Sequence, residues 1–460
     1  MECRNKDVFE LQKKYFQSGI TRNIEFRIHQ LKKLKRMVKE NEAAIIDSIN
    51  QDLGKAEFEQ YLTEIGLFYK EIHLFIRKLK RWMKPKKPIL PITHFPCKGK
   101  IVREPYGVTL LIAPFNYPFG LIFSPLIGAI AGGNCTIIKP SEQTVHFTKL
   151  LRKLIGEYFD EGYLYACDPT KGKEVVNELL EYHFDYIFFT GSTNVGKIVM
   201  EKAAKNLVPV TLELGGKSPC IVTEHANIKM TAKRIAWGKM LNAGQTCVAP
   251  DYIWVQESVR DALLEELKKQ FELQYGKAPK ENKEYCGMIN TSTVRRLKEY
   301  LKDGFIYYGG EYDIEKHYFG PTILTDVDEN SKVMQDEIFG PILPVMEFQN
   351  LSTVVEYMNR HPAPLALYIF SEKKPEVERL LSKIPSGGAM VNDVLIHVAS
   401  AKFPFGGVGQ SGMGDYHGFY SFETFTHRRT ILDRKTWAEF PVRFAPYSKY
   451  KLSIFRKLLK

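Results

Sequence analysis

Apolar positions in the first hundred residues recur at helical spacing. Ile28, Leu31, Leu34 and Val38 form one stripe, Lys and Arg fill the opposite face, and Gly54 follows as a stop. Pro85, Pro88, Pro91 and Pro96 then mark an extended connector. Beyond it, short apolar runs alternate with helical stretches. GVTLLIA from Gly107, CTIIK from Cys135, YIFF from Tyr186 and VPVTLEL from Val208 predict strands, with helices over 124–131, 144–157, 173–182 and 194–205 between them. Strands separated by helices predict a parallel sheet with crossovers. A second series begins near residue 214: PCIV, a helix over 228–241, YIWV at Tyr252, a charged helix over 258–275 and strands near Ala389. The pattern predicts two α/β domains. The glycine-dense segment FPFGGVGQSGMGDYHG (403–418) is too rich in glycine for a regular element, so it reads as a loop that turns sharply or approaches something closely.

Residues 107–138 carry no charge, which raises the question of a membrane span. Pro114, Pro118 and Pro125, with five glycines and two asparagines, break a continuous helix there, so a buried strand, a loop and a packed helix are expected instead. The composition, 44% hydrophobic and 26% charged over 460 residues, excludes disorder as the main state. Seven scattered cysteines form no CxxC pair, which excludes a disulfide scaffold and suits a reducing, cytoplasmic compartment. The charged N-terminus shows no secretory signal.

Of the net charge of +12, residues 1–100 carry +10 (22 basic, 12 acidic), residues 421–460 carry +7 (10 and 3), and the middle carries −5 (33 and 38). Solvated helix faces explain such ends most simply. The basic tail, 436–460, also interleaves Leu452, Ile454, Phe455, Leu458 and Leu459 with lysine and arginine, which leaves peripheral contact with an anionic membrane open. No nucleic-acid recognition module is present in the sequence.

Single residues say less. Cys247, in LNAGQTCVAP, follows an apolar helix and precedes a strand; on its own such a cysteine is more often inert core than nucleophile. Asn116 in APFNYP reads alone as a turn residue. Glu213, at a strand end before Gly215 and Gly216, is a general-base candidate or a structural carboxylate. FFTGSTNVG (188–196) places Gly191 after a strand and Gly196 at a helix start, with Ser192 or Thr193 able to cap; this geometry favours anions, although a plain cap explains it equally.

Together these segments carry more. APFNYP, KPSE (139–142), FTGSTNVGK, LELGGKSP, NAGQTCVAPDY, EIFGPILP from Glu337 and PFGGVGQSGMGDYHG occur in the order and approximate spacing of the aldehyde dehydrogenase superfamily, over about residues 20–435. AWGKMLNAGQTCVAPDY and GVGQSGMGDYHG resemble its class 3, the fatty and aromatic aldehyde branch, apart from Gln410 where that class usually shows Asn. The resemblance implies two doubly wound α/β domains, a Rossmann-like cofactor domain over 1–212 with a late return after about 400, and a catalytic domain over 213–400. Segments 88–105 and 405–435 would form a small β bridging region that joins a homodimer.

The resemblance also implies roles, residue by residue. Cys247 matches the catalytic cysteine, Asn116 the oxyanion-hole amide and Glu213 the glutamate that activates water. Thr190, Gly191, Ser192, Val195 and Gly196 match the cofactor loop, Lys139 and Glu142 the positions facing the adenosine ribose, and Glu337 with Phe339 those at the nicotinamide end. Tyr117, Trp237, Met240, Val398 and Phe405 match the acyl tunnel and are all apolar or aromatic, which suits a hydrophobic aldehyde, though each could equally be core. NAD is the expected cofactor, since a carboxylate at 142 repels a 2′-phosphate unless it swings away; NADP stays open. No metal-ligand cluster is apparent. The expected activity is oxidation of an aldehyde to a carboxylic acid through a cysteine thiohemiacetal and thioester. The rivals are an enzyme that passes the thioester to coenzyme A, against which Glu213 argues, and a non-catalytic protein that retains the fold.

Overall fold

A computed structural model describes residues 2–459, with side chains from residue 4 onward; Lys460 of the basic tail and the Cys3 side chain lie outside the described residues. The chain opens with the helices Glu2–Gln17, Ile24–Glu40, Glu42–Leu53 and Gly66–Trp82. Asn23 caps the second by accepting from the N–H groups of Glu25 and Phe26, and Ile28, Leu31, Leu34 and Val38 are buried along it. That stripe does not continue to Gly54. Asn41 donates its side-chain amide to Met37 O (2.8 Å) and interrupts the ladder, so Gly54, left-handed at φ 64, ends the next helix instead.

The first sheet has the order Gly412–Met413, Val210–Glu213, Tyr186–Thr190, Val108–Ile112, Cys135–Lys139, Leu164–Ala166. It is parallel except for Gly412–Met413, a short antiparallel strand inside the glycine-dense segment that was expected to be all loop. Gly412 lies at φ 147, and a Cβ there would meet Leu212 O at 2.3 Å, so only glycine lets this backbone approach the strand that carries Glu213. The crossovers are the helices Gly120–Gly132, Val145–Tyr158, Lys173–Leu180 and Thr193–Lys205.

The uncharged stretch is thus strand, loop and helix, and among the described residues no helix is long and apolar enough to cross a membrane. Its helix begins four residues before the predicted start, with Pro125 inside. The cause is distant in sequence: Glu64 Oε2 accepts from the N–H groups of Phe119 (3.0 Å) and Gly120 (2.9 Å), which satisfies donors a helix start leaves open.

The second sheet has the order Gly388–Val391, Ala366–Phe370, Pro219–Val222, Tyr252–Gln256, Ile342–Phe348, Thr322–Thr325, Phe305–Tyr308, with only the last pairing antiparallel. Thr322–Thr325 and Ala366–Phe370 are buried throughout, so they lack the alternation that marks a strand in sequence. Pro344 disguises Ile342–Phe348 in the same way. A separate antiparallel ribbon joins Cys97–Pro105 to Thr426–Arg434, in register from Cys97↔Arg434 to Pro105↔Thr426. The chain passes from the first sheet to the second between Glu213 and Pro219, and the candidate site gathers there.

Candidate active site

Cys247 sits past the end of the helix Ile228–Met240, after an unusual turn. Asn242 and Ala243 are both left-handed (φ 53 and 49), and Gly244 follows at φ 76. A Cβ on Gly244 would meet Gly340 O at 2.2 Å, so the turn packs against the segment that carries Glu337 and Phe339. Asn242 holds the strained conformation through its polar atoms. Its N–H donates to Glu59 Oε1 (2.8 Å), and its side-chain amide donates to Asn116 O (2.9 Å) and Gln245 O (3.0 Å). The side chain of Asn116 donates to the same Gln245 O (3.0 Å), which brings the APFNYP loop against the cysteine loop. One Nδ2 hydrogen of Asn116 is therefore engaged and the other is not assigned to that bond; its Oδ1 is buried and unpartnered.

Glu213 ends its strand with its carbonyl accepting from Gly191 N (3.0 Å), while both carboxyl oxygens are buried without a partner. Burial, with Asp415 nearby, pushes this carboxyl well above the usual carboxylate range. Glu337 packs its carboxyl onto Gly215, where a Cβ would meet Oε2 at 1.9 Å. Burial and the Asp251 charge push Glu337 up to about 8. Half-buried Cys247 is raised too, first by burial and then by Glu337 and Glu213, so two carboxyl groups lie within electrostatic reach of the thiol. Burial and these two carboxyl groups favour the thiol over the thiolate.

At the C-terminal ends of the first sheet's strands, Ser192 caps the helix Thr193–Lys205 by accepting from Val195 N (3.4 Å). Thr190 is buried with an unpartnered Oγ1, and Gly196 packs on Leu214, where a Cβ would meet Cδ2 at 2.5 Å. Lys139 donates to Glu142 Oε2 (2.6 Å); against the upward pull of burial, that contact holds the Glu142 carboxyl below its usual range. Phe339, left-handed at φ 48, meets Phe115 edge to face at 5.9 Å between ring centres. These positions fit a dinucleotide: a helix N-terminus beyond the strand Tyr186–Thr190, a tethered carboxylate beyond Cys135–Lys139 two strands away, and orphaned oxygens on Thr190 and Glu337. Gln410 is exposed and meets Thr193 Oγ1 through its backbone carbonyl (3.2 Å), so its side-chain identity does not enter that contact.

A cavity of about 200 Å³ opens on Cys247, and Tyr117, Trp237, Val398 and Phe405 line it. Met240 does not. It is 1% exposed and belongs to the core at the last residue of the helix Ile228–Met240, whereas Trp237, one turn earlier, is half-buried and lines the cavity. The lining also includes Leu62, Leu67, Leu121, Leu395 and Ile396, which the sequence reading did not single out. Leu62 and Leu67 come from a helical region far from every motif, and nothing local marks them.

The model of the aldehyde dehydrogenase family matches residues 8–431. A Staphylococcus aureus protein named 4,4′-diaponeurosporen-aldehyde dehydrogenase is 46% identical over 449 residues, 96% of this chain and 97% of its own length. A rat protein named aldehyde dehydrogenase, dimeric NADP-preferring, is 43% identical over 427 residues, 93% of this chain and 94% of its own. A solved structure of the substrate-bound state of Staphylococcus aureus AldH superposes with a TM-score of 0.97 at 46% identity, covering 99% of both chains. Identity of this extent along nearly the whole chain, on one fold, means that the chain belongs to the aldehyde dehydrogenase family of NAD(P)-dependent oxidoreductases.

Proposed function

We propose that the protein oxidises hydrophobic aldehydes, aliphatic or aromatic, to carboxylic acids with Cys247 as nucleophile, Asn116 as oxyanion donor and Glu213 as the base that activates water. The observation that carries this reading is Cys247 on the wall of an apolar cavity, with the buried, unpartnered carboxyl of Glu213 within electrostatic reach of its thiol. The aldehyde's apolar part enters between Tyr117, Trp237, Val398 and Phe405, which exclude water. The Cys247 thiol gives its proton to a water molecule that carries it to solvent, the sulfur adds to the carbonyl carbon, and the oxygen becomes an alkoxide. The free N–H of Asn116 and the Cys247 backbone N–H stabilise it; such donors are worth about 3–4 kcal/mol. A dinucleotide, when bound, accepts the hydride that leaves the substrate carbon. The Cys247 thioester that remains is attacked by water whose proton goes to Glu213, a role that contributes about 100- to 10,000-fold. The acid leaves, and the Cys247 sulfur takes the proton from Glu213 and is restored as the thiol.

Lys139, Glu142, Thr190, Gly191, Ser192, Val195, Gly196, Glu337 and Phe339 would hold the dinucleotide, on a cofactor domain built around the first sheet, with the second sheet as the catalytic domain. The Lys139 contact keeps the Glu142 carboxylate charged, which favours NAD over NADP. The ribbon Cys97–Pro105/Thr426–Arg434 presents outer edges suited to a homodimer. In the tail, the helix Lys449–Leu458 exposes Leu452 and Leu458, with Leu459 exposed just after it, beside Lys449, Lys451, Arg456 and Lys457, which supports docking on an anionic membrane. The deciding experiment is an aldehyde panel, nonanal included, with each dinucleotide, following absorbance of the reduced cofactor and the product. Free acid from wild type and none from Cys247→Ser supports the reading; acyl-coenzyme A as sole product, or full turnover by Cys247→Ser, defeats it. Liposome binding unchanged by truncation after Phe440 would acquit the tail.

A further inference from the structure

Lys55 has no solvent exposure, yet its ammonium is paired: Nζ donates to Glu64 Oε1 at 2.9 Å and lies 4.0 Å from Glu59 Oε1. It also sits 3.8 Å from the centre of the Tyr117 ring, a wall of the cavity. Each carboxylate has a second duty. Glu64 Oε2 takes the N–H groups of Phe119 and Gly120 at the end of the loop that carries Asn116 and Tyr117. Glu59 Oε1 takes the N–H of left-handed Asn242, whose side chain ties Asn116 O to Gln245 O ahead of Cys247. A third tie, Tyr117 Oη to Thr246 Oγ1 at 2.7 Å, joins the same two loops.

The backbone is shaped for this pairing. Residues five apart on an α-helix lie about 140° apart around the axis, which would separate Glu59 from Glu64. The segment Tyr61–Ile65 is wound as a π-helix, whose i→i+5 pattern returns residues five apart to one face. A buried ion pair adds little net stability compared with apolar packing of the same volume. What the carboxyl groups add is direction, because one oxygen of each accepts from backbone N–H groups of the loop it holds: Glu64 Oε2 from Phe119 and Gly120, and Glu59 Oε1 from Asn242.

We propose that Lys55, Glu59 and Glu64 form a positioning triad that sets the Asn116 loop against the Cys247 loop. This rests on the catalytic reading above and extends it to residues outside every recognised motif. None of the three touches the reacting atoms; they act through Asn242, Phe119, Gly120 and Tyr117.

The test compares Glu59→Gln with Glu59→Asp in the full-length enzyme. Gln keeps an acceptor oxygen at full reach without charge, whereas Asp keeps the charge and withdraws the oxygen by one methylene. The expected result is kcat within about threefold of wild type for Glu59→Gln and about 10- to 100-fold lower for Glu59→Asp, with KM and the NAD dissociation constant within about threefold in both. The alkylation rate of Cys247 by iodoacetamide, read by peptide mass spectrometry, should shift in Glu59→Asp alone. That readout needs no turnover, so it still judges the triad should Cys247→Ser defeat the catalytic reading. Wild-type kcat and alkylation in Glu59→Asp, or equal losses in the two variants, would overturn the triad.

Discussion

The side-chain amide of Asn116 donates to the carbonyl of Gln245 at 3.0 Å, two residues before Cys247. This bond couples loops separated by more than a hundred residues and orients the amide with one N–H left over. Asn116→Ala should therefore lower kcat about 100- to 1,000-fold, the usual loss for an oxyanion donor. KM and dinucleotide affinity should change little, and steady-state kinetics with nonanal checks this. A loss confined to KM would place Asn116 in ground-state binding instead.

Glu213→Gln should separate the two halves of the reaction. Without a base for water, one equivalent of reduced dinucleotide should form per active site and turnover should then stall with an acyl group on Cys247. Rapid-mixing absorbance and intact-protein mass spectrometry would show it. Continued steady turnover at the wild-type rate would remove Glu213 from the water-activating role.

Glu337 makes a pH prediction with a definite sign. Its carboxyl is raised from 4.5 to about 8 by burial and Asp251, against Lys217, Arg296 and the Gly216 N–H, which lower it. A raised carboxyl contributes stability fully present below the unfolded value and lost as pH climbs towards the folded one. Glu337→Gln should thus gain Tm relative to wild type as pH rises from 5 to 8.5. Thermal melts at both pH values test this; a gain that shrinks with pH contradicts the burial argument.

Trp237 and Met240, three residues apart, should behave differently. Trp237→Ala enlarges the cavity and should shift the preferred aldehyde towards bulkier chains in kcat/KM. Met240→Ala removes core volume and should cost about 2–5 kcal/mol of stability with the aldehyde preference unchanged. A preference shift in Met240→Ala would return that residue to the tunnel.

Gly215→Ala should fail at the cofactor end of the site. The added Cβ would stand 1.9 Å from Glu337 Oε2, so the carboxyl must move; overpacking of this kind costs about 1–3 kcal/mol. The expected signature is weaker dinucleotide binding in a fluorescence titration, with Cys247 still alkylated by iodoacetamide. Unchanged affinity would mean that Glu337 has room to yield.

Much was legible in the sequence alone. The alternation of apolar runs and helical stretches determined the parallel sheets, because burial on both faces demands strands such as CTIIK and PCIV whatever surrounds them. The ordered motifs determined the family, since glycines and polar residues there answer to backbone turns and chemistry that are local in sequence. Which way side chains face was decided only by the tertiary structure. Met240 belongs to the core although its neighbours in the motif line the cavity, the helix at Gly120 starts early because Glu64 reaches it, and Gly412–Met413 becomes a strand because Leu212 and Glu213 offer a free edge. Lys55, Glu59 and Glu64 left no trace in any pattern, because a hydrogen bond between residues 59 and 242 depends on packing that brings distant segments together, and periodicity records only what a residue does within its own element.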